Sequence, residues 1–288
     1  MKKIVGFYHR GDLDGISSAA ILKDRFSKEQ LILVGVEFGD NLGDMNEIVK
    51  DADSVYMVDF VFEPFERMIE LNKTCNLFWI DHHASSLKYV EKYPEIKFKG
   101  LLGNKDNKKS AAYLLWEYFY QNAIVPRGIN FISLFDTWQH NFDDNILSFY
   151  YGVEAKTGMN PHSDVWEDIL LNTINTDTMI DIGKSVRSYV KMKDAAYAFD
   201  HAFEADFEGY KAIVINIGFP GSMKFDSVID NDKHDIMIGF SRRKGKFWKF
   251  SLYTTKKHID CSKIAGKYGG GGHAGAAGFE LDYIPFKI

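Results

Sequence analysis

A chain of 288 residues with 45% apolar and 26% charged side chains has ample material for a hydrophobic core, and its length suits one or two domains. Its formal net charge of −5 argues against a broad electrostatic footprint for long duplex nucleic acid, and against a long basic channel for polyphosphate. The first apolar run is cut short by Arg10, Asp12 and Asp14, too early for a signal peptide or membrane span, and Cys75 and Cys261 form no paired motif, so a cytoplasmic protein with no membrane partner is expected.

Residues 3–8 are short and apolar and read as a first strand. His9-Arg10-Gly11-Asp12-Leu13-Asp14-Gly15 follows as a loop. Residues 16–26 then read as a helix whose Ser17, Ser18, Ala19 and Ala20 allow close packing. A second strand over 31–36 ends at Glu37-Phe38-Gly39-Asp40, and a third over 54–58 ends on Asp59. A helix is predicted over 63–72, with Pro64 in the first turn, where its missing N–H is no loss. The fourth strand, 77–80, runs into Asp81-His82-His83, and 97–102 gives a fifth. Strands alternating with helices predict an α/β fold with a parallel, doubly wound sheet.

Ala111, Ala112, Leu114, Leu115, Trp116 and Phe119 predict an apolar helix over 110–122. Another runs from about 128 to 135 and closes on Asp136. Residues 144–205 read as helical throughout, with 180–201 as a long connecting helix. Texture changes near Glu208-Gly209. Strands over 212–217, 236–240 and 247–252 follow, then a helix over 260–267 and a glycine run ending in His273. The domains are therefore expected at 1–165 and 209–288, the second smaller and mixed α/β, joined by a helical linker over 166–208.

The side chains just beyond these element ends share one chemistry: His9, Asp12, Asp14, Asp59, Asp81, His82, His83 and Asp136. Parallel strands bring their C-terminal ends to one edge, where open α/β sheets bind ligands. Carboxylates crowded there repel one another unless some take up protons or a cation neutralises them. Carboxylates mixed with imidazoles suit Mn2+, Fe2+ or Co2+ better than Ca2+. Two such ions about 3.5–4 Å apart, sharing an Asp, form the recurrent clamp for phosphoester hydrolysis. Adjacent His82 and His83 on extended chain point opposite ways, so one can ligate while the other faces a substrate. Each residue also has a plainer reading. His9 can be a loop histidine, Asp12 or Asp14 a cap for the first helix, Asp59 a turn residue, and Asp136 the partner of Arg127 or a lysine. Together the plain readings require several coincidences at one edge.

His9-Arg10-Gly11-Asp12-Leu13-Asp14-Gly15, then Asp59, then Asp81-His82-His83, then Asp136, and last Gly269 to Gly272 with His273, resemble the DHH phosphoesterase superfamily with its C-terminal DHH-associated domain. The resemblance covers nearly the whole chain with its motifs in order. It implies a hydrolase with two divalent ions, Mn2+ ahead of Fe2+, Co2+ or Mg2+. It assigns His9 and Asp12 to one metal, Asp14, His82 and Asp136 to the other, and Asp59 to both. It makes Asp81 the residue that orients His82 or a neighbouring group, and it turns His83 toward the phosphoryl group.

The glycine run leaves its backbone open to close approach by a phosphate. By the resemblance, Gly270, Gly271, Gly272 and His273 fold over the metal cleft and bind the far end of the substrate. Many relatives carry Ser-x-Arg on the preceding strand. Here the matching piece is Ser251-Leu252-Tyr253, so Tyr253 stands in the Arg position, with Arg242 and Arg243 as substitutes. Lys246, Trp248 and Lys249 suit either base stacking or an ordinary two-faced strand. The expected function is hydrolysis of phosphodiester bonds in short single-stranded oligonucleotides, as in nanoRNases. The alternatives are hydrolysis of a small phosphate compound (a cyclic or linear dinucleotide, a nucleoside bisphosphate, polyphosphate) and a metal-dependent nucleotide-binding module. A homodimer is left open.

Overall fold

The structure, a computed structural model, describes residues 2–287 apart from 38, 39, 41–44, 104–107, 142, 219 and 244. The chain divides into two compact units, Met1–Arg187 and Ser188–Ile288. No helix among the described residues is long and apolar enough to cross a membrane.

The first unit is built on β1 (Lys3–His9), β2 (Gln30–Val36), β3 (Ser54–Val58), β4 (Leu77–Asp81) and β5 (Lys99–Leu102), all parallel, in the order β2-β1-β3-β4-β5. The crossovers carry α1 (Leu13–Arg25), α2 (Met45–Val49), α3 (Glu66–Thr74) and α4 (Ala84–Lys92). Then come α5 (Ala111–Phe119), α6 (Arg127–Asp136), α7 (Asp144–Thr157) and α8 (Val165–Leu170), and α9 (Thr176–His201) runs on into the second unit. Strand alternation sorts the two faces. Val5, Phe7, Val55, Met57 and Trp79 pack with Phe60, Phe65, Met68 and Leu71, whereas Ile4, Tyr56, Val58 and Ile80 pack with α1, α5 and α6. The parallel, doubly wound sheet read from the sequence is the fold found. In this strand order the chain reverses between β1 and β3, and the crevice of such a sheet opens beyond the strand ends at that point.

The helix over 144–205 is the largest departure from expectation. It breaks into α7, α8 and α9, with Gly158 left-handed (φ 58°) at the end of α7. Trp166, Ile169, Leu170, Met179 and Ile180, from the expected linker, are buried in the first unit's core. Residues 202–207 leave the helix altogether. They form β6 (Ala202–Phe207), which pairs with β7 (Tyr210–Asn216) across a two-residue turn. Glu208 and Gly209 in that turn both have positive φ (54° and 83°), as a tight hairpin with the right strand twist demands. The texture change seen there is thus a hairpin turn inside the second unit. The helix expected at residue 63 begins at Glu66, and Pro64 lies before it, its carbonyl accepting the Arg67 N–H at 3.1 Å.

The second unit adds β8 (Ile236–Arg243), β9 (Phe247–Tyr253), α10 (Cys261–Gly266), β10 (Gly271–Gly272) and β11 (Ala276–Leu281). Its sheet runs β10-β11-β9-β8-β7-β6, with β7 and β8 parallel and the other pairs antiparallel. Phe207, Ile238, Phe250, Leu252 and Phe279 pack with Ile264 of α10 and with Phe286. Ile213, Ile215 and Met237 pack with Ala198 and Phe225. Asp260 caps α10 by accepting the N–H groups of Ser262 and Lys263.

Candidate metal centre

Three strand ends deliver the side chains. His9 closes β1, Asp59 follows β3, and Asp81 closes β4 with His82 and His83 next in chain. His9 Nδ1 lies 3.0 Å from Asp12 Oδ2 and 3.6 Å from Asp59 Oδ2. His82 Nε2 lies 3.2 Å from Asp136 Oδ2, 3.5 Å from Asp59 Oδ1 and 3.7 Å from Asp14 Oδ2. Two clusters, His9-Asp12-Asp59 and Asp14-His82-Asp136, thus each gather three ligand-type atoms within 4.8 Å of one another, and Asp59 also groups with His82 and His83. Asp136 comes from the end of α6 and faces His82 instead of Arg127 or a lysine.

The plain readings of Asp12 and Asp14 coexist with this clustering, on different oxygens or in a different place. Asp12 caps α1, its Oδ1 accepting the Gly15 N–H at 3.0 Å, while Oδ2 faces His9. Asp14 caps α5 instead of α1, accepting the N–H groups of Ala111 and Ala112 at 2.8 and 2.9 Å. The helix end that holds Asp14 also favours its negative charge. Asp59 is 1% exposed and sits at φ 55°, a left-handed conformation that Asp tolerates better than most residues. Its N–H donates to the Ile80 carbonyl, which fixes the turn.

The donor set suits a cation. Among the described residues, both carboxylate oxygens of Asp59, Oδ2 of Asp136 and Nε2 of His82 are buried with no aligned hydrogen-bond partner. Buried polar atoms are normally paired, and these four, all of ligand type, lie close to one another at the sheet edge. Carboxylate and imidazole together fit a first-row divalent ion.

No family model matches the chain. A protein of Acanthamoeba polyphaga mimivirus named Uncharacterized protein R106 is 25% identical over 97% of this chain and 68% of its own length. The Bacillus subtilis (strain 168) protein named Oligoribonuclease NrnB is 24% identical over 95% of this chain and 72% of its own. An exopolyphosphatase-related protein from Bacteroides fragilis shares the fold, with a TM-score of 0.52 and 16% identity over 98% of this chain and 88% of its own. The shared fold and the match to the Bacillus protein over nearly the whole chain agree with the resemblance of the motifs to the DHH phosphoesterase superfamily.

The Asp81-His82-His83 tripeptide divides its labour. Asp81 Oδ1 accepts the backbone N–H groups of His82 and His83 at 2.7 and 3.1 Å and pairs with His83 Nδ1 at 2.8 Å, while Oδ2 accepts the Ser86 hydroxyl at 2.5 Å. Asp81 therefore orients the His83 ring, and His82 is held by its main chain. Burial would raise the Asp81 carboxyl, but the His83 imidazolium and these hydrogen bonds outweigh it and hold the carboxyl low. Burial would likewise favour neutral imidazoles. The carboxylates win instead: Asp136, Asp59 and Asp14 raise His82 to about 11, and Asp81 raises His83 to about 9. Asp136 is pushed up to about 7, first by burial and then by Asp12 and Asp59. Burial and the neighbouring carboxylates also keep Asp14 well above the usual range. Without cations this centre balances its charge with protons, which metal ions would displace.

Two neighbours were not singled out from the sequence. Glu37, at the end of β2, places Oε1 3.2 Å from His9 Nε2. Its signal was its place, since an acid just past a parallel strand follows the same rule as Asp59. Tyr150 accepts the Leu13 N–H at 3.3 Å and stacks on Phe135 at 3.7 Å, and nothing in the local sequence marks it.

The remaining predicted residues lie in the second unit. Gly271, Gly278, Ser251 and Gly239 share one cross-strand row over β10, β11, β9 and β8. The N–H groups of Gly270 and His273 are already given to the carbonyls of Ala265 and Ala276, so those two amides are not open as expected. Gly272 pairs with Ala277 in the ladder. Arg242 and Arg243 end β8, with the Arg242 guanidinium 5.9 Å from the Trp248 ring centre. Trp248 itself packs against the core, which favours the two-faced strand over base stacking. The Tyr253 hydroxyl donates to the Pro220 carbonyl at 2.7 Å and serves the unit's own packing.

Proposed function

We propose that this protein is a DHH-type phosphoesterase that hydrolyses phosphodiester bonds in short single-stranded oligonucleotides, using two divalent cations, with Mn2+ first among the candidates. The observation that carries the reading is the pair of three-residue clusters meeting at Asp59 on the sheet edge. His9 and Asp12 would hold one ion, Asp14, His82 and Asp136 the other, and Asp59 both. When bound, such ions neutralise phosphoryl charge and make water acidic enough to act as a nucleophile near neutral pH.

The protein's own groups then have separable tasks. Asp81 holds His83 with Nδ1–H directed at its carboxylate, so Nε2 is the atom that meets a phosphoryl or leaving oxygen. Held this way, His83 is placed to offer a proton from Nε2 to that oxygen. In the second unit, Gly271, Gly278 and Ser251 of that row and the basic end of β8 at Arg242 and Arg243 are suited to a sugar–phosphate backbone, whereas Pro220 covers the row at Gly239. His273 and the glycines beside it would complete that surface. The name of the Bacillus relative supports an oligoribonucleotide substrate, and the modest net charge supports a short one.

The test is a substrate panel with Mn2+: end-labelled RNAs of increasing length, linear and cyclic dinucleotides, and polyphosphate, with products resolved by chromatography. Oligoribonucleotides of a few residues should be consumed fastest, with release of mononucleotides. Turnover of polyphosphate alone, or tight nucleotide retention without cleavage, would overturn the proposal.

A further inference from the structure

We propose that Glu37 is a positioning residue for the centre: it draws the His9 ring proton to Nε2 so that the Nδ1 lone pair faces the cation. The inference rests on reading His9, Asp12 and Asp59 as a metal-holding group. A neutral imidazole carries one proton, and only the bare nitrogen can ligate. His9 has a carboxylate on each side, Asp12 at 3.0 Å from Nδ1 and Glu37 at 3.2 Å from Nε2. If Asp12 alone accepted, the proton would sit on Nδ1 and block the atom that faces Asp59. Glu37 supplies the competing acceptor on the far side. Such carboxylate–histidine–metal relays fix the tautomer and ring angle of a ligand.

The surroundings are built for this pair. The Glu37 N–H donates to Asp40 Oδ2 at 3.0 Å, and the Asp40 N–H donates back to the Glu37 carbonyl at 3.0 Å. Arg10 grips both Asp40 carboxylate oxygens and the Gly35 carbonyl, so the residue next to His9 anchors the segment that carries Glu37. Gly11 leaves room, since a Cβ there would lie 2.8 Å from His9 Nε2 and 3.0 Å from Glu37 Oε2. Arg10 and Gly11 thus gain a role within His9-Arg10-Gly11 that ligand counting alone does not provide.

The experiment uses the full chain, without substrate. Mn2+ titration calorimetry is run on wild type, Glu37→Ala and Glu37→Gln, and ring 15N spectra are recorded on the Zn2+-loaded proteins. In wild type, His9 should show a proton on Nε2, protected from exchange. Glu37→Ala should weaken one of two sites by about 10–100-fold and lose that protection. Glu37→Gln, which keeps the size and an acceptor oxygen, should restore much of both and guards against a folding artefact. A folded Glu37→Ala protein with unchanged affinities and an unchanged His9 spectrum overturns the proposal, as does equal weakening of both sites. Since no substrate enters, these results stand apart from the outcome of the oligonucleotide panel.

Discussion

Asp59 concentrates the cost of the site in one residue. It is buried, left-handed and flanked by imidazoles, and its oxygens lack aligned donors. In Asp59→Asn, both Mn2+ affinities and turnover should fall by more than the ~10–100-fold expected for losing a supporting residue. Its metal-free melting temperature should fall, because the buried His9 and His82 rings lose the carboxylate that faces them and holds their charge. Calorimetry and a thermal melt check both halves. Asp81→Asn should act differently: kcat falls about 10–100-fold while binding at the His9 cluster persists, because Asp81 serves His83 and that ring is not in the His9 cluster.

The same side chains set a pH dependence. His82 and His83 titrate near 11 and 9 in the folded metal-free protein, against about 6.5 when unfolded. Their contribution to stability is therefore complete below about pH 6.5 and is lost as pH climbs through 9 and 11. Asp136, raised to about 7, works in the same direction: the folded state holds its proton above pH 4 and the unfolded state does not. The opposite sign belongs to Asp59 and Asp81, which are held low and are protonated only in acid. Metal-free protein should thus melt at lower temperature at pH 9 than at pH 7. Mn2+ affinity should rise over that interval, with protons released on binding. Melts with and without chelator test this, and a metal-free melting point that climbs from pH 7 to 9 would contradict it.

Among the elements, the junction of β1 and α1 is the tightest. A Cβ on Gly15 would lie 1.8 Å from the His9 carbonyl oxygen, so only glycine lets the helix start directly under the strand end. Gly15→Ala should force the two apart and cost on the order of 1–3 kcal/mol or more. Weaker Mn2+ binding at the His9 cluster should accompany the lower melting temperature. Most of this architecture was legible in the sequence because parallel strands are short apolar runs with polar residues at their ends. β6 was not: Ala202-Phe203-Glu204-Ala205 continues the helix-forming composition before it, and the tertiary pairing with β7 decides otherwise. β11 was hidden by the small residues that precede Phe279. At the site, the residue types announced the chemistry. Three-dimensional contacts were needed to show that Asp12 splits its oxygens between helix and imidazole, that Asp14 caps a helix about a hundred residues away, and that Glu37 belongs to the cluster.

Across the whole molecule, the division of labour follows the two units. The first carries the acids and imidazoles of the candidate metal centre, on a sheet whose strand order opens a crevice at their side. The second offers the glycine row and the basic strand end and is proposed to select the substrate. Both roles require that the two clusters be cation sites. Crystals of the intact chain grown with Mn2+, with anomalous data collected at the manganese edge, test this most directly. Two peaks are predicted, one bounded by His9, Asp12 and Asp59 and the other by Asp14, His82, Asp136 and Asp59. No peak at this edge, or manganese bound only elsewhere, would contradict the account.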